Sequence, residues 1–306
     1  MAQFGGKLRR NHRIPRPFFG WWIVIGALLV QALISGLVRY GFGVYFVYLQ
    51  KEFKAGKAVL SIPFSVAQAE AGGMLGPLQG WLLSKFGPRA VMRSGLIILG
   101  FGLIIFSFAQ SITAIFAIVL VIGVGLGLVG YLTVTTTVAN WFERKRNMAM
   151  AIAASGLGIG GLLLPIFAAV MASMGWRNTA ILSGIIVMVI GLPIAQLMRR
   201  RPEDYNLLPD GAIPNENPSL GDTLHKPSKD SSLAGYTTKE ALRNRSFWFL
   251  AFGHATAVLG ASALMLHLIP FLIEKFGLTA EYASAIVAIV PLVTIVAQLI
   301  GGLLGD

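Results

Sequence analysis

No cysteine occurs in the 306 residues, which excludes a disulfide framework and a thiolate metal site and leaves the redox compartment unreadable. Charge is scarce. Asp, Glu, Lys and Arg make up 12% of the chain against 55% hydrophobic residues, and the mean hydropathy is +0.72, far outside the range of soluble globular chains. Acids are scarcer still, 13 against 25 Lys and Arg. Strand-period alternation is missing, so a β-barrel is set aside. The glycine runs lie inside apolar stretches instead of after a strand, and there is no Walker motif, so nucleotide-driven chemistry finds no support. Paired acids, a His cluster and a nucleophile beside a base are also missing. The chain therefore does not read as an enzyme and asks for no cofactor and no metal.

Long apolar runs are what the sequence has in plenty. At 19 to 30 residues each, they are long enough to cross a hydrocarbon core roughly 30 Å thick as helices. Eight spans are predicted, near 18–47, 62–84, 91–109, 113–139, 149–172, 178–198, 247–272 and 283–304, giving an all-α protein of the bilayer. Span one is too long and too late for a signal peptide, and Lys7, Arg9, Arg10, Arg13 and Arg16 precede it, so it is expected to stay as a signal anchor. With the N-terminus cytoplasmic, the inner loops hold those five cations, three more around 85–93, three at 144–146 and eight in 199–245, while the outer loops hold five. This asymmetry predicts the orientation. The net charge of +12 is then an orientation signal, not a nucleic-acid patch, because the cations are scattered over short loops.

Residues 199–245 are charged, rich in Pro, Ser and Asn, and without apolar periodicity, as expected of a cytoplasmic linker. Across it the sequence repeats with an offset of 222 to 223 residues. "LQKEF" (49–53) matches "LIEKF" (272–276), Ser61 matches Ser284, and "GWLLS" (80–84) matches "GLLGD" (302–306). The organisation predicted is a six-helix bundle over 1–198, a linker over 199–245 and the first two helices of a second bundle over 246–306. Two helices alone lack packing partners, so the expectation is a partial chain.

The turn after span two, "GPLQGWLLSKFGPR" (76–89), spaces Gly76 and Gly80 for a close helix crossing and places Gly87 and Pro88 at a tight reversal. Lys85, Arg89 and Arg93 then reach the membrane surface, either as a gate latch toward a neighbouring bundle or as simple positive-inside anchoring. These residues resemble the major facilitator superfamily, whose corresponding loop reads G-x-x-x-D-x-x-G-x-R. Gly80, Gly87 and Arg89 match, Ser84 stands at the acidic position, and Asp306 keeps the acid in the second copy. "GWWIVIGA" (20–27), Arg39, "NWFERKRNMAMAIAASGLGIGG" (140–161), "GWRNT" (175–179) and "RRPEDYNLLPDG" (200–211) narrow the resemblance to the monocarboxylate-porter and oxalate/formate-antiporter branch. It covers essentially the whole chain.

Arg39 carries the most chemistry. An arginine inside an apolar span costs at least about 2.5 kcal/mol and is retained where it faces a polar path. Gln31, Ser35 and Arg39 share a helical face at i, i+4 and i+8. A guanidinium there offers a fork to a carboxylate; snorkelling to the headgroups is the competing account. In the resembling family this position holds a cation associated with transport. Glu70 is expected at a similar depth, either exchanging a proton when an anion competes for Arg39 or merely fixing helix packing. Tyr131 and Thr135 are candidate cavity residues, although membrane threonines often bond their own helix. His267 is a candidate substrate or proton contact on helix seven, and His254 lies on the opposite face. Proton-coupled monocarboxylate porters have Asp and Arg in helix eight where this chain has Thr294 and Gln298, which puts a lactate-type mechanism in doubt.

The function expected is secondary transport of a small organic anion, a mono- or dicarboxylate, by alternating access with proton symport or exchange. The protein is expected to be a monomer in the cytoplasmic membrane, with the lipid bilayer and a small-molecule substrate as its partners. A non-transporting receptor or scaffold of the same fold is the alternative.

Overall fold

A computed structural model describes residues 18–69, 75–205, 207–211 and 238–305. Glu70 and Asp306 lie outside the described residues, as does most of the expected linker. All regular structure among the described residues is helical. In order come α1 (Phe19–Ile34), a π turn (Ser35–Arg39), α2 (Gly41–Phe53), α3 (Lys57–Ala69), α4 (Gly76–Phe106), α5 (Ile112–Val129), α6 (Tyr131–Trp141), α7 (Arg146–Leu162), α8 (Leu164–Ala195), α9 (Thr238–Arg243), α10 (Arg245–Phe276), α11 (Ala280–Val287) and α12 (Ile289–Gly305). Among the described residues, six stretches are long and apolar enough to cross a membrane.

Six stretches accommodate eight expected crossings because α4 and α8 each contain a reversal. Gly87 (φ 77°, ψ 165°) and Gly175 (φ 79°, ψ 162°) occupy a region open essentially to glycine alone. Gln79 and Gly95, each eight residues from Gly87, meet the same part of α5. Gln79 Nε2 donates to the Gly127 carbonyl at 2.8 Å, and a Cβ on Gly95 would lie 2.8 Å from Leu128 Cβ. The two limbs therefore run side by side. Gly87 was expected to turn the chain, and Gly175 performs the same task at the other end of the bundle. The bundle thus has a near end, holding residue 18, Ser84 and Trp141, and a far end, holding Phe53, Gly175 and Phe276.

The first span is longer than the expected 18–47. It continues through "LQKEF" to Phe53, where Lys54 adopts a left-handed conformation (φ 47°). At that far end Glu52 accepts from Trp176 Nε1 through one oxygen and from the Arg177 guanidinium through the other. Arg177 also donates to the Ala109 carbonyl at 3.1 Å and stacks on Trp176. The "GWRNT" segment is thus a staple joining the ends of the first, third and sixth crossings. Glu52→Ala strips two donors of their acceptor at a half-exposed site, and is expected to cost about 1–2 kcal/mol. A thermal-melt comparison with Arg177→Gln, which leaves the Trp176 bond in place and should cost less, checks the assignment.

The near end is clasped by the segment after α8. Trp141 Nε1 donates to the Arg199 carbonyl at 3.0 Å, Asn140 Nδ2 to the Arg200 carbonyl at 3.2 Å, and Arg200 to the Ser84 carbonyl at 2.7 Å. Arg199 lies between the rings of Phe19 and Tyr205. Asp210 Oδ2 accepts from the backbone N–H groups of Glu143 and Arg144, completing the start of the fifth crossing. The first residues of the expected linker are therefore ordered parts of the bundle. Beyond it, the short helix α9 begins at Thr238, and Asn244 caps α10 by accepting from Ser246 N.

Tight helix crossings follow the glycines. A Cβ on Gly156 would strike the Leu28 carbonyl, one on Gly125 would lie 2.8 Å from Leu99 N, and one on Gly36 would lie 2.8 Å from the Gly160 carbonyl oxygen. Helix α12 lies antiparallel along α7, with Pro291 on Gly161, Ile295 on Gly158, Gly302 on Ala151 and Gly305 on Asn147. This seam joins the two sides of the sequence repeat.

Candidate functional site

The candidate residues occupy three levels between the ends of the bundle. At the level nearest the start of α7, Gln31, Tyr131, Val134, Thr135, Val138, Met150, Ala153 and Ala154 surround a hollow of about 10 Å³, room for about one water. Gln31 is 3% exposed, and its side-chain amide has no hydrogen-bond partner among the described residues. The amide borders the hollow, where a single water would satisfy it. Thr135 donates to the Tyr131 carbonyl at 2.8 Å, which leaves its oxygen free to accept.

Tyr131 follows a break. The fourth crossing is interrupted at Gly130 (φ −68°, ψ −161°), between α5 and α6. The backbone groups freed there are met from within the bundle: Gln79 Nε2 donates to the Gly127 carbonyl and to Thr133 Oγ1, both at 2.8 Å, and Thr133 donates to the Leu128 carbonyl at 2.7 Å. Irregular backbone at membrane depth persists only where protein or a cavity satisfies it. Gln79 was not singled out from the sequence, although a lone glutamine in an apolar run was a usable signal.

Arg39 stands about 12 Å further along the first span, eight residues beyond Gln31. The expected continuous stripe of Gln31, Ser35 and Arg39 is interrupted by the π turn, in which Tyr40 N donates to the Ser35 carbonyl at 2.9 Å. The wider turn under-winds the helix, so Arg39 leaves the face set by Gln31. Ser35 is spent on helix packing, its hydroxyl donating to the Leu157 carbonyl of α7. Arg39 is exposed and has no ion-pair partner among the described residues. Fourteen residues, about 21 Å of helix, separate it from Phe53, several times the length of its side chain. The span of 35 residues is about 52 Å long, and a core of roughly 30 Å centred on it contains Arg39. The longer helix therefore weakens the snorkelling account. Next to it, Tyr40 reaches the seam: a Cβ on Gly161 would lie 2.7 Å from the Tyr40 ring and 2.6 Å from Pro291.

Helix α12 brings Thr294 and Gln298 to the same seam. Thr294 donates to the Val290 carbonyl at 2.9 Å. The pairing of Ile295 with Gly158 and Gly302 with Ala151 puts Gln298 opposite 154–155, at the rim of the hollow. Its Oε1 is buried without a hydrogen-bond donor among the described residues. Thus Gln31, Tyr131 and Thr135 gather at one hollow with Gln298 beside it, and Arg39 lies about 12 Å along the span.

His267 belongs to neither group. It is at the far-end level, 3.4 Å from Ser61 Oγ and edge-on to the Phe46 ring. Ser61 and Phe46 had not been marked as site residues. The close crossing expected at Gly76 and Gly80 is not formed among the described residues, since neither has an atom within 4 Å of its Cβ position; Gly87 forms the reversal beside Arg200. Arg89 has an unpaired buried Nε, while Lys85 lies over the Trp81 and Phe86 rings.

A family model described as Major Facilitator Superfamily matches residues 28–306. Monocarboxylate transporter 6 of Mus musculus is 28% identical over 296 residues, covering 94% of this chain and 60% of the relative. The oxalate:formate antiporter of Oxalobacter formigenes is 28% identical over 179 residues, covering 57% of this chain and 42% of its own. A bacterial homolog of the human lysosomal transporter Spinster, solved in an inward-facing and unoccupied conformation, superposes with a TM-score of 0.65 at 17% identity. That match covers 88% of this chain and 59% of that one, and establishes the likeness of fold. The chain thus spans about 60% of the length of relatives it matches nearly end to end.

Proposed function

The chain belongs to the Major Facilitator Superfamily, and on that premise we propose that it serves a secondary transporter for a small organic anion, a mono- or dicarboxylate, moved by alternating access. The near end faces the cytoplasm, consistent with its load of Lys and Arg. Residues 1–198 form one half of the carrier, 199–245 tether it, and 246 onward begin the other half, with the moving seam between α7 and α12. It works as a monomer in the cytoplasmic membrane.

The observation that carries this proposal is Arg39, an exposed guanidinium without an acid partner among the described residues, deep in the first span and beside the seam. A carboxylate bound there gains two charge-assisted hydrogen bonds and supplies the missing counter-charge. Gln31, Tyr131, Thr135 and Gln298, about 12 Å along the span, form a second polar station that a small acid meets after leaving Arg39, while Thr294 borders the path. The names of the relatives supply the substrate class. Glu70, Gly80, Gly87, Arg89 and Asp306 retain their proposed roles in coupling and gating.

Uptake by proteoliposomes tests the proposal. Labelled lactate, formate and oxalate are offered with an imposed pH gradient or with unlabelled acid preloaded. At least one is expected to accumulate above empty liposomes, with the effective condition distinguishing symport from exchange. No uptake under either condition, or uptake of neutral solutes only, overturns the assignment.

A further inference from the structure

Helix α10 lies against the far halves of α2 and α3 through contacts stacked along its length. Ile269, 1% exposed, is buried in the common core. His267 sets its ring edge-on to the fully buried Phe46, with centroids 5.7 Å apart and planes at 84°, and its Nε2 is 3.4 Å from Ser61 Oγ. Two turns further along α10, Glu274 pairs with Lys57. These contacts hold the second half of the repeat to the first at the far end.

The hydrogen bonds around Ser61 favour one tautomer of the histidine. The one hydroxyl hydrogen of Ser61 is given to the Lys57 carbonyl at 2.7 Å, so toward His267 the serine only accepts. We assign the neutral ring's hydrogen to Nε2 of His267, the tautomer that can donate to Ser61, and Nδ1 is then the site for a second proton. The charged and titratable groups around this contact are Lys57 on α3, Glu274 and Lys275 on α10 itself, Arg39 and Tyr48 of the first span, and Glu281 of α11 near Tyr48. Lys57 and Glu274 cancel. Arg39, about 10 Å deeper along the span than Phe46, remains uncompensated among the described residues.

We propose that His267 is a proton-binding group of this carrier, in addition to Glu70. A proton taken from far-side water onto Nδ1 places a cation between the neutralised Lys57–Glu274 pair and the uncompensated Arg39, in a contact built for a neutral ring, and α10 lifts from α2 and α3. A carboxylate bound at Arg39 removes the repulsion from below, and the latch closes again with the proton still aboard. Proton and anion then travel together, and the proton leaves Nδ1 when the near side admits water. The unlatching step stands on the histidine geometry alone; the reclosing step rests on the organic-anion function proposed above.

Because the chain has no cysteine, Ile269→Cys alone reports whether α10 has lifted. The full chain in liposomes is labelled with a membrane-impermeant maleimide from the far side at about pH 5.5 and about pH 7.5. His267 and His267→Gln backgrounds are compared, since glutamine keeps an N–H for Ser61 and takes no proton. The ratio of their rates cancels the thiol's own pH dependence. Labelling in the His267 background is expected to exceed that in His267→Gln by at least about threefold at the acid pH and to match it at the alkaline one. Ratios equal at both pH values, including no labelling at either, overturn the proposal. L-lactate or oxalate at the acid pH is then expected to slow labelling when Arg39 is intact, and not in Arg39→Ala. If only that arm fails, the proton site stands and the anion function falls.

Discussion

Arg39→Ala is expected to lower organic-acid uptake by roughly 30- to 100-fold while leaving the protein folded. Removing one partner of a desolvated, hydrogen-bonded charge pair costs about 2–5 kcal/mol, and each 1.4 kcal/mol is tenfold. The lower part of that range applies because Arg39 has no ion-pair partner among the described residues that its removal would leave unpaired. Folding should be indifferent, since no described residue forms an ion pair with the guanidinium. Arg39→Lys keeps the charge and loses the planar fork, so it should recover only part of the rate, and recover more for a monocarboxylate than for oxalate. Initial uptake rates and melting temperatures, measured on the same preparations, separate a lost binding group from a damaged protein. Equal uptake by Arg39→Ala and the parent would remove the guanidinium from the transport path.

Much of this was legible before any coordinates. Apolar run lengths located the crossings, the glycine-proline pair at 87–88 announced a reversal, and the cost of burying an arginine singled out Arg39. What escaped depended on contacts distant in sequence. The stripe from Gln31 to Arg39 assumed a constant helical period, yet Ser35 bonds to Leu157, 122 residues away, within the π turn that turns Arg39 off the stripe. The Ser35–Gly36 pair within 35–39 marks a place where a helix can bend, but it does not by itself specify a π turn. The far-end latch escaped for a related reason. Ser61 and Phe46 are unremarkable until α10 lies across them, and only the helical spacing from His267 to Glu274 hinted that both share one face. The "GWRNT" and "RRPEDYNLLPDG" segments served as family signatures in the sequence; their physical work is the Glu52 staple and the Arg200 and Asp210 clasp.

The glycines of α7 invite the second large effect. Gly160→Val is expected to destabilise the protein more than any surface change in the bundle. A Cβ at Gly160 would run into the Ala32 carbonyl and lie 2.7 Å from Gly36 N and 2.8 Å from Ser35 Cβ. The atoms it meets are largely backbone, so no rotamer change makes room, and α7 must back away from the first span. That retreat pulls the Leu157 carbonyl off Ser35 and releases the π turn at Arg39. Overpacking typically costs about 1–3 kcal/mol, and here the upper end applies, equivalent to roughly 6–12 °C in melting temperature for a domain of this size. Gly80→Ala is the matched control. Its Cβ meets nothing within 4 Å, and replacing glycine inside a helix should gain about 0.5–1 kcal/mol. Any Gly160→Val protein that survives should also transport poorly, because the turn that presents Arg39 is held by the same contact. A melt unchanged by Gly160→Val would mean that the first span and α7 are not in backbone contact, and the π turn would then need another cause.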